Sequence, residues 1–156
     1  MPTVSHTVEI NKPPSTVFKM LRDANNIKAW APVVTDSYCS ESFVNEGTPF
    51  SVKADLKPVG GPKFEFDNVV AKLVDDKELV WRQTKGTMKR LEWHFHLEPI
   101  GRSQNPEGGA TMLSLTIDYA MPYSFLGSIM DKVKMNRVIT AACHVNLEGL
   151  KRKMEA

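Results

Sequence analysis

MNRVITAACHVNLEGLK, residues 135–151, decides how this chain folds. At about 100° per residue it reads as helix. The helical pattern extends back to Tyr123 or Ser124, just after Met121-Pro122, and forward to about Met154. A helix of that length measures about 45 Å at 1.5 Å per residue, enough to cross a whole sheet. Leu126, Ile129, Met130, Val133, Ala141, Leu147 and Leu150 give it an apolar side. Arg137, Thr140 and His144 fall on the same side as Val133, Ala141 and Leu147, where a core is expected. Arg137 and His144 are two turns apart on one stripe. Burying an unpaired charge is very costly. Either that side meets solvent, or the helix covers a cavity in which these groups find partners.

The segments before the helix are strands. Residues 3–11 alternate, with Val4, His6, Val8 and Ile10 on one face, as in a half-buried strand. Pro13-Pro14 then opens a short helix carrying Val17, Phe18 and Leu21, and a second short helix holds Ile27 to Trp30 before Pro32 stops it. Further strands are expected at 34–43, 49–56, 64–74, 78–84, 89–98 and 110–120, separated by Asn, Asp, Gly and Pro turns. The loop at 101–109, GRSQNPEGG, is long for a hairpin and is a candidate mobile segment. Strands in a run followed by a long helix indicate an α+β class. The expected arrangement is one domain over residues 1–156, in which a seven-stranded curved antiparallel sheet wraps around the C-terminal helix. A strongly curled sheet leaves a pocket beside the helix.

Composition narrows the function. Twenty Lys and Arg against eighteen Asp and Glu give a net charge of +2, with no basic block beyond Lys151-Arg152-Lys153. Nucleic-acid binding therefore has no electrostatic footprint, and that cluster suits a helix end. Cys39 and Cys143 are far apart and outside any C-x-x-C pair, which points to a reduced, cytoplasmic setting. The N-terminus has no signal-peptide run, and no stretch is apolar enough to span a bilayer.

Motifs with specific chemistry are few. Glu92, His94, His96 and Glu98 share one face of EWHFHLE, and Trp93, Phe95 and Leu97 the other. Two histidines and two carboxylates could hold zinc, but this alternation is also that of a solvent face, and no metal set is assigned. Val59-Gly60-Gly61-Pro62-Lys63 lacks the phosphate-loop pattern, and no G-x-S-x-G elbow occurs.

Several segments carry a family resemblance. HTVEINKPPSTVFKMLRDANNIKAWAP, at residues 6–32, resembles the opening of the START-like (SRPBCC, Bet v 1-type) superfamily: a strand, a Pro turn, Val17-Phe18 on a helix, Asp23 and Trp30-Ala31-Pro32. VNLEGLKRKMEA resembles its closing helix, and LVWRQTKG, EWHFHLEPIG and GGATMLSLTIDYAMP resemble its late strands. The chain looks most similar to the polyketide cyclase/dehydrase and lipid-transport branch. The resemblance implies a helix-grip fold with an apolar internal cavity, and it transfers no catalytic residue.

The expected function is binding, or transport, of a small hydrophobic ligand such as a lipid or polyketide-like compound. Candidate ligand-binding residues are His6, Trp30, Trp81, Trp93, Phe95, Tyr119, Tyr123, Met130, Val133, Arg137, Thr140 and His144. The aromatic residues suit a largely apolar pocket, and His6, Arg137 and His144 would orient a polar end. Asp118 and Tyr119 alternate, so at most one points inward. The alternative is a polyketide cyclase/aromatase or dehydratase with His6 or His144 as acid/base and Arg137 polarising a carbonyl. A groove for a partner helix or peptide is a third reading, and an exposed apolar patch would favour it. No cofactor is implied, and the oligomeric state is left open.

Overall fold

The computed structural model describes residues 3–101, 109–122 and 132–156. Strands β1 (Thr3–Ile10), β2 (Val34–Tyr38), β3 (Pro49–Asp55), β4 (Lys63–Val74), β5 (Glu78–Gly86), β6 (Arg90–Ile100) and β7 (Ala110–Ala120) form one sheet. Their order is β1-β7-β6-β5-β4-β3-β2, and every pairing is antiparallel. Helix α1 (Pro14–Arg22) follows β1, and the long helix α2 (Lys132–Glu155) comes last. The seven-stranded curved sheet with its C-terminal helix is the expected helix-grip architecture. The expected helix start at Tyr123 or Ser124 and most of the 101–109 loop lie outside the described residues.

Local sequence explains the elements. Pro14 stands in the first turn of α1, where its missing N–H costs nothing, and α1 buries Val17, Phe18 and Leu21. The next segment, Ala24–Ala29, is a 3₁₀ helix whose path kinks at Asn26. β2 ends at Tyr38, five residues short of the expected strand. There the Asn25 side chain takes over the backbone: Cys39 N donates to Asn25 Oδ1 at 2.8 Å, and Asn25 Nδ2 donates to Cys39 O at 2.9 Å. Register shifts in β2–β3 and twice in β4–β5 bend the sheet.

Period-two alternation divides the sheet faces. On β6, Leu91, Trp93, Phe95 and Leu97 are buried, while His96 and Glu98 are exposed and Glu92 and His94 half-buried. On β7, Tyr119 turns inward and Asp118 does not. The core centres on Trp81, whose ring lies 4.8 Å from Phe95, 5.2 Å from Phe50 and 5.4 Å from Trp93. Such offset and edge-on contacts add to the burial of apolar surface.

Helix α2 corrects the expected packing face. Its buried residues include Met135, Val138, Ile139, Ala142, Cys143, Asn146, Leu147 and Leu150. Taking Asn146 as the centre, Arg137, Thr140 and His144 fall roughly 120–180° away around the wheel. All three are exposed, and Val133 is 64% exposed. The stripe marked by Val133 and Arg137 is the outer side of the helix, because solvating the guanidinium costs nothing whereas burying it unpaired is expensive. At the C-terminal end α2 comes unusually close to the chain around Trp30. A Cβ on Gly149 would sit 2.2 Å from Trp30 O and 2.7 Å from Pro32 Cδ, so only glycine fits there.

Candidate functional site

A cavity lies between the concave face of the sheet and α2. The sheet lines it with Val33, Val34, Ala54, Leu56, Phe64, Phe66, Leu91, Trp93 and Ile117, and α2 supplies Ile139, Ala142 and Asn146. Ile139, Ala142 and Asn146 follow the 3-then-4 spacing that stacks side chains on one helix face. The open space is about 30 Å³. That is about one water's share of liquid volume, well below the roughly 300–1,000 Å³ of drug-sized pockets. A larger guest therefore needs the walls to move apart.

Among the described residues of this lining, Asn146 carries the one carboxamide. It is fully buried, and neither Oδ1 nor Nδ2 has a partner among the described residues. The Trp93 indole N–H, on the sheet side of the lining, is likewise buried without a partner among the described residues. Buried amides are normally hydrogen-bonded, so an unmet donor and acceptor within an apolar wall is a costly exception.

A shallow surface depression adjoins the cavity. Val59, Gly60, Val133, Lys134, Arg137 and Val138 line it. Gly60 adopts a left-handed φ of +86° at the turn between β3 and β4. Gly61 packs tightly between a residue of the depression and a residue of the cavity. A Cβ on Gly61 would lie 2.6 Å from Val138 Cγ1 and 2.9 Å from Leu56 Cβ, and Leu56 itself lines the cavity.

The structure scatters the sequence-expected site residues. Trp93 lines the cavity. Trp30, Trp81, Phe95 and Tyr119 are buried in the core around it, and Tyr119 donates its hydroxyl to Asn136 Oδ1 at 3.1 Å. Burial holds the Tyr119 phenol above its ordinary pKa. Val133 and Arg137 lie in the outer depression, and Thr140 is exposed, donating to Asn136 O at 2.6 Å. Tyr123 and Met130 lie outside the described residues. His6 and His144 meet each other at the seam between β1 and α2, beside Glu148, and are not among the residues lining the cavity. Relative to Asn146, His144 and Glu148 point to the opposite flank of the helix.

Two further groups are chemically distinctive. Cys143 is buried with its thiol 3.6 Å from Leu115 O, and burial pushes its pKa to about 12. On the outer face of the sheet, Glu92 accepts from Arg82 Nε at 3.0 Å and stands 3.0 Å from His94 Nε2. Desolvation alone would raise the Glu92 pKa, but hydrogen bonds and charge from Arg82 and His94 together outweigh it and hold the carboxyl below its ordinary value.

The model of the polyketide cyclase/dehydrase and lipid transport family matches residues 1–155. The chain belongs to this family. No curated protein matches it. Among solved structures, a Thermus thermophilus protein superposes with a TM-score of 0.78 at 20% identity, covering 99% of this chain and 97% of its own. A START superfamily protein from Mycobacterium smegmatis gives 0.72 at 14% identity, with 98% and 97% covered. The Zhui aromatase/cyclase of a Streptomyces species gives 0.73 at 16% identity, with 99% and 93% covered. At these identities the likeness is one of fold. Among the described helices none is long and apolar enough to cross a membrane.

Proposed function

We propose that this family member binds a small hydrophobic ligand, lipid-like or polyketide-like, between the sheet and α2. The observation that carries the reading is the apolar cavity with one unpartnered carboxamide in its wall, Asn146. Apolar burial supplies most of the affinity, at roughly 25 cal/mol per Å² before the costs of ordering. Asn146 selects a ligand end that both donates and accepts, such as a hydroxyl or a protonated acid, and the Trp93 N–H adds a second donor. The ligand reaches the cavity past Val138 and the Leu56–Gly61 turn, where Gly61 packs between Val138 and Leu56. Arg137 and Val133 flank that approach, where the guanidinium would meet an anionic ligand end in solvent.

Binding is favoured over cyclase or dehydratase chemistry by one feature. No cavity-lining residue among those described is titratable, so no acid/base group stands beside a guest held there. The test compares native and denaturing mass spectra of the purified protein, followed by titration with a fluorescent fatty acid. Binding predicts a co-purified mass lost on denaturation, or a saturable fluorescence change with micromolar Kd that Ala142→Trp abolishes. Saturable binding that Ala142→Trp leaves intact would place the ligand elsewhere. No binding together with turnover of a polyketide-like carbonyl substrate would favour the enzyme.

A further inference from the structure

We propose that His6, His144 and Glu148 form a site for a divalent transition-metal ion, with Zn²⁺ the ion its donors suit best. The site is separate from the cavity and does not depend on the ligand reading. His6 Nε2 lies 3.1 Å from His144 Nδ1 and 3.4 Å from Glu148 Oε1. One ligand atom from each of the three residues falls within 4.8 Å of the others. In a tetrahedral zinc site, bonds of about 2.0–2.2 Å set neighbouring donor atoms about 3.3–3.5 Å apart. The two measured edges already stand within a few tenths of an ångström of that spacing.

Direct hydrogen bonds through His6 Nε2 cannot engage both of its neighbours at once. His6 Nε2 faces an imidazole nitrogen and a carboxylate oxygen together, and a single N–H there serves only one of them. A metal ion engages all three donors. Two imidazoles with one carboxylate favour zinc and its transition-metal neighbours over Mg²⁺ or Ca²⁺, which take oxygen.

The scaffold presents these side chains from regular structure. His6 sits mid-strand in β1, opposite Leu115 of β7. His144 and Glu148 are one turn apart on α2, the i,i+4 spacing that puts two ligands on one helix face. The His6 and Glu148 side chains are 26% and 34% exposed, so an ion can reach them and water can take a fourth position. The other mixed cluster among the described residues, Glu92, His94 and Asp118, offers one imidazole, and its Glu92 is already held by Arg82.

The experiment titrates chelator-treated protein with Zn²⁺ by calorimetry and with Co²⁺ by visible absorption, in wild type, His6→Gln, His144→Gln and His94→Gln. The expected result is one equivalent bound with a Kd of micromolar or below and a four-coordinate Co²⁺ spectrum. Affinity should drop at least tenfold in His6→Gln and His144→Gln and stay within threefold in His94→Gln. Because the ion ties α2 to β1, Zn²⁺ at a hundred times Kd should raise the wild-type Tm by about 5–10 °C. Absence of stoichiometric binding, binding that survives His144→Gln, or loss in His94→Gln overturns the proposal. If a variant does not fold, histidine-resolved NMR of the wild type decides: Zn²⁺ must shift His6 and His144, and shifts confined to His94 or His96 refute the site.

Discussion

Asn146→Leu should make the protein more stable and a poorer binder. The carboxamide is fully buried, and both of its polar atoms lack partners. An amide held this way costs about 1–3 kcal/mol by mutational measure. Leucine has the same branched outline with methyl groups in place of the oxygen and nitrogen. Those methyls are larger, and the adjoining space of about 30 Å³ can take the difference. The penalty of overpacking is therefore small, and relief of the unmet polar atoms prevails. Empty protein should gain about 1–3 kcal/mol, or roughly 2–12 °C in Tm for a chain of this size. Ligand affinity should fall about 10- to 100-fold, since the polar end loses its anchor inside an apolar wall. Calorimetric melts of ligand-stripped protein measure the first effect, and fluorescent fatty-acid titration the second. If the leucine variant folds but is destabilised by more than about 1 kcal/mol, an internal partner already satisfies Asn146, and the argument that it awaits a ligand fails.

Three further outcomes test the frame around the site. Gly149→Ala gains about 1 kcal/mol of helix propensity, yet its Cβ would meet Trp30 O at 2.2 Å. The clash should win, lowering stability by about 1–3 kcal/mol in urea unfolding at unchanged m, and a stabilised variant would disprove the close approach. The Cys143 thiol ionises at about 12 in the fold against an ordinary 9.0. Its folded pKa is raised, so its contribution to stability is complete below pH 9 and is lost as pH climbs toward 12; Cys143→Ala should flatten that slope, and equal slopes would contradict it. Finally, the C-terminal half of α2 is tied down: Lys151 donates to Glu9 O, Glu155 accepts from Asn11 N at 2.9 Å, and Gly149 seats on Trp30. Amide exchange should be slower at residues 145–151 than at 135–142, where Val138 must shift to admit a ligand; uniform protection would remove that route.

The sheet was legible because each strand repeats one physical choice. Alternation placed Trp93, Phe95 and Leu97 inward and assigned six of the seven strands to within three residues, since a one-residue slip would bury every polar partner. β2 was overrun because its end is set by Asn25, a side chain distant in sequence whose amide mimics a strand partner. The site was less legible. Val133 and Leu147 steered the helix face toward Arg137, although Met135, Ile139, Ala142, Asn146 and Leu150, spaced 4, 3, 4 and 4, mark the true stripe. Asn146 hid it, because an asparagine reads as solvent-facing and discounts the stripe it centres.

That misreading has a physical cause that also bears on function. A fold optimised for stability alone would place leucine at position 146, and the periodicity would then be plain. The chain instead keeps a carboxamide with no hydrogen-bond partner among the described residues, and histidines where one flank of the same helix meets an edge strand. Local rules fail on α2 at positions set in something other than ordinary core: Asn146 in the lining of an apolar cavity, His144 and Glu148 beside another imidazole. Departures from local consistency concentrate at functional and strained sites. On that ground the proposed ligand and metal sites both draw on α2, on opposite flanks, rather than on the aromatic core that the sequence advertises.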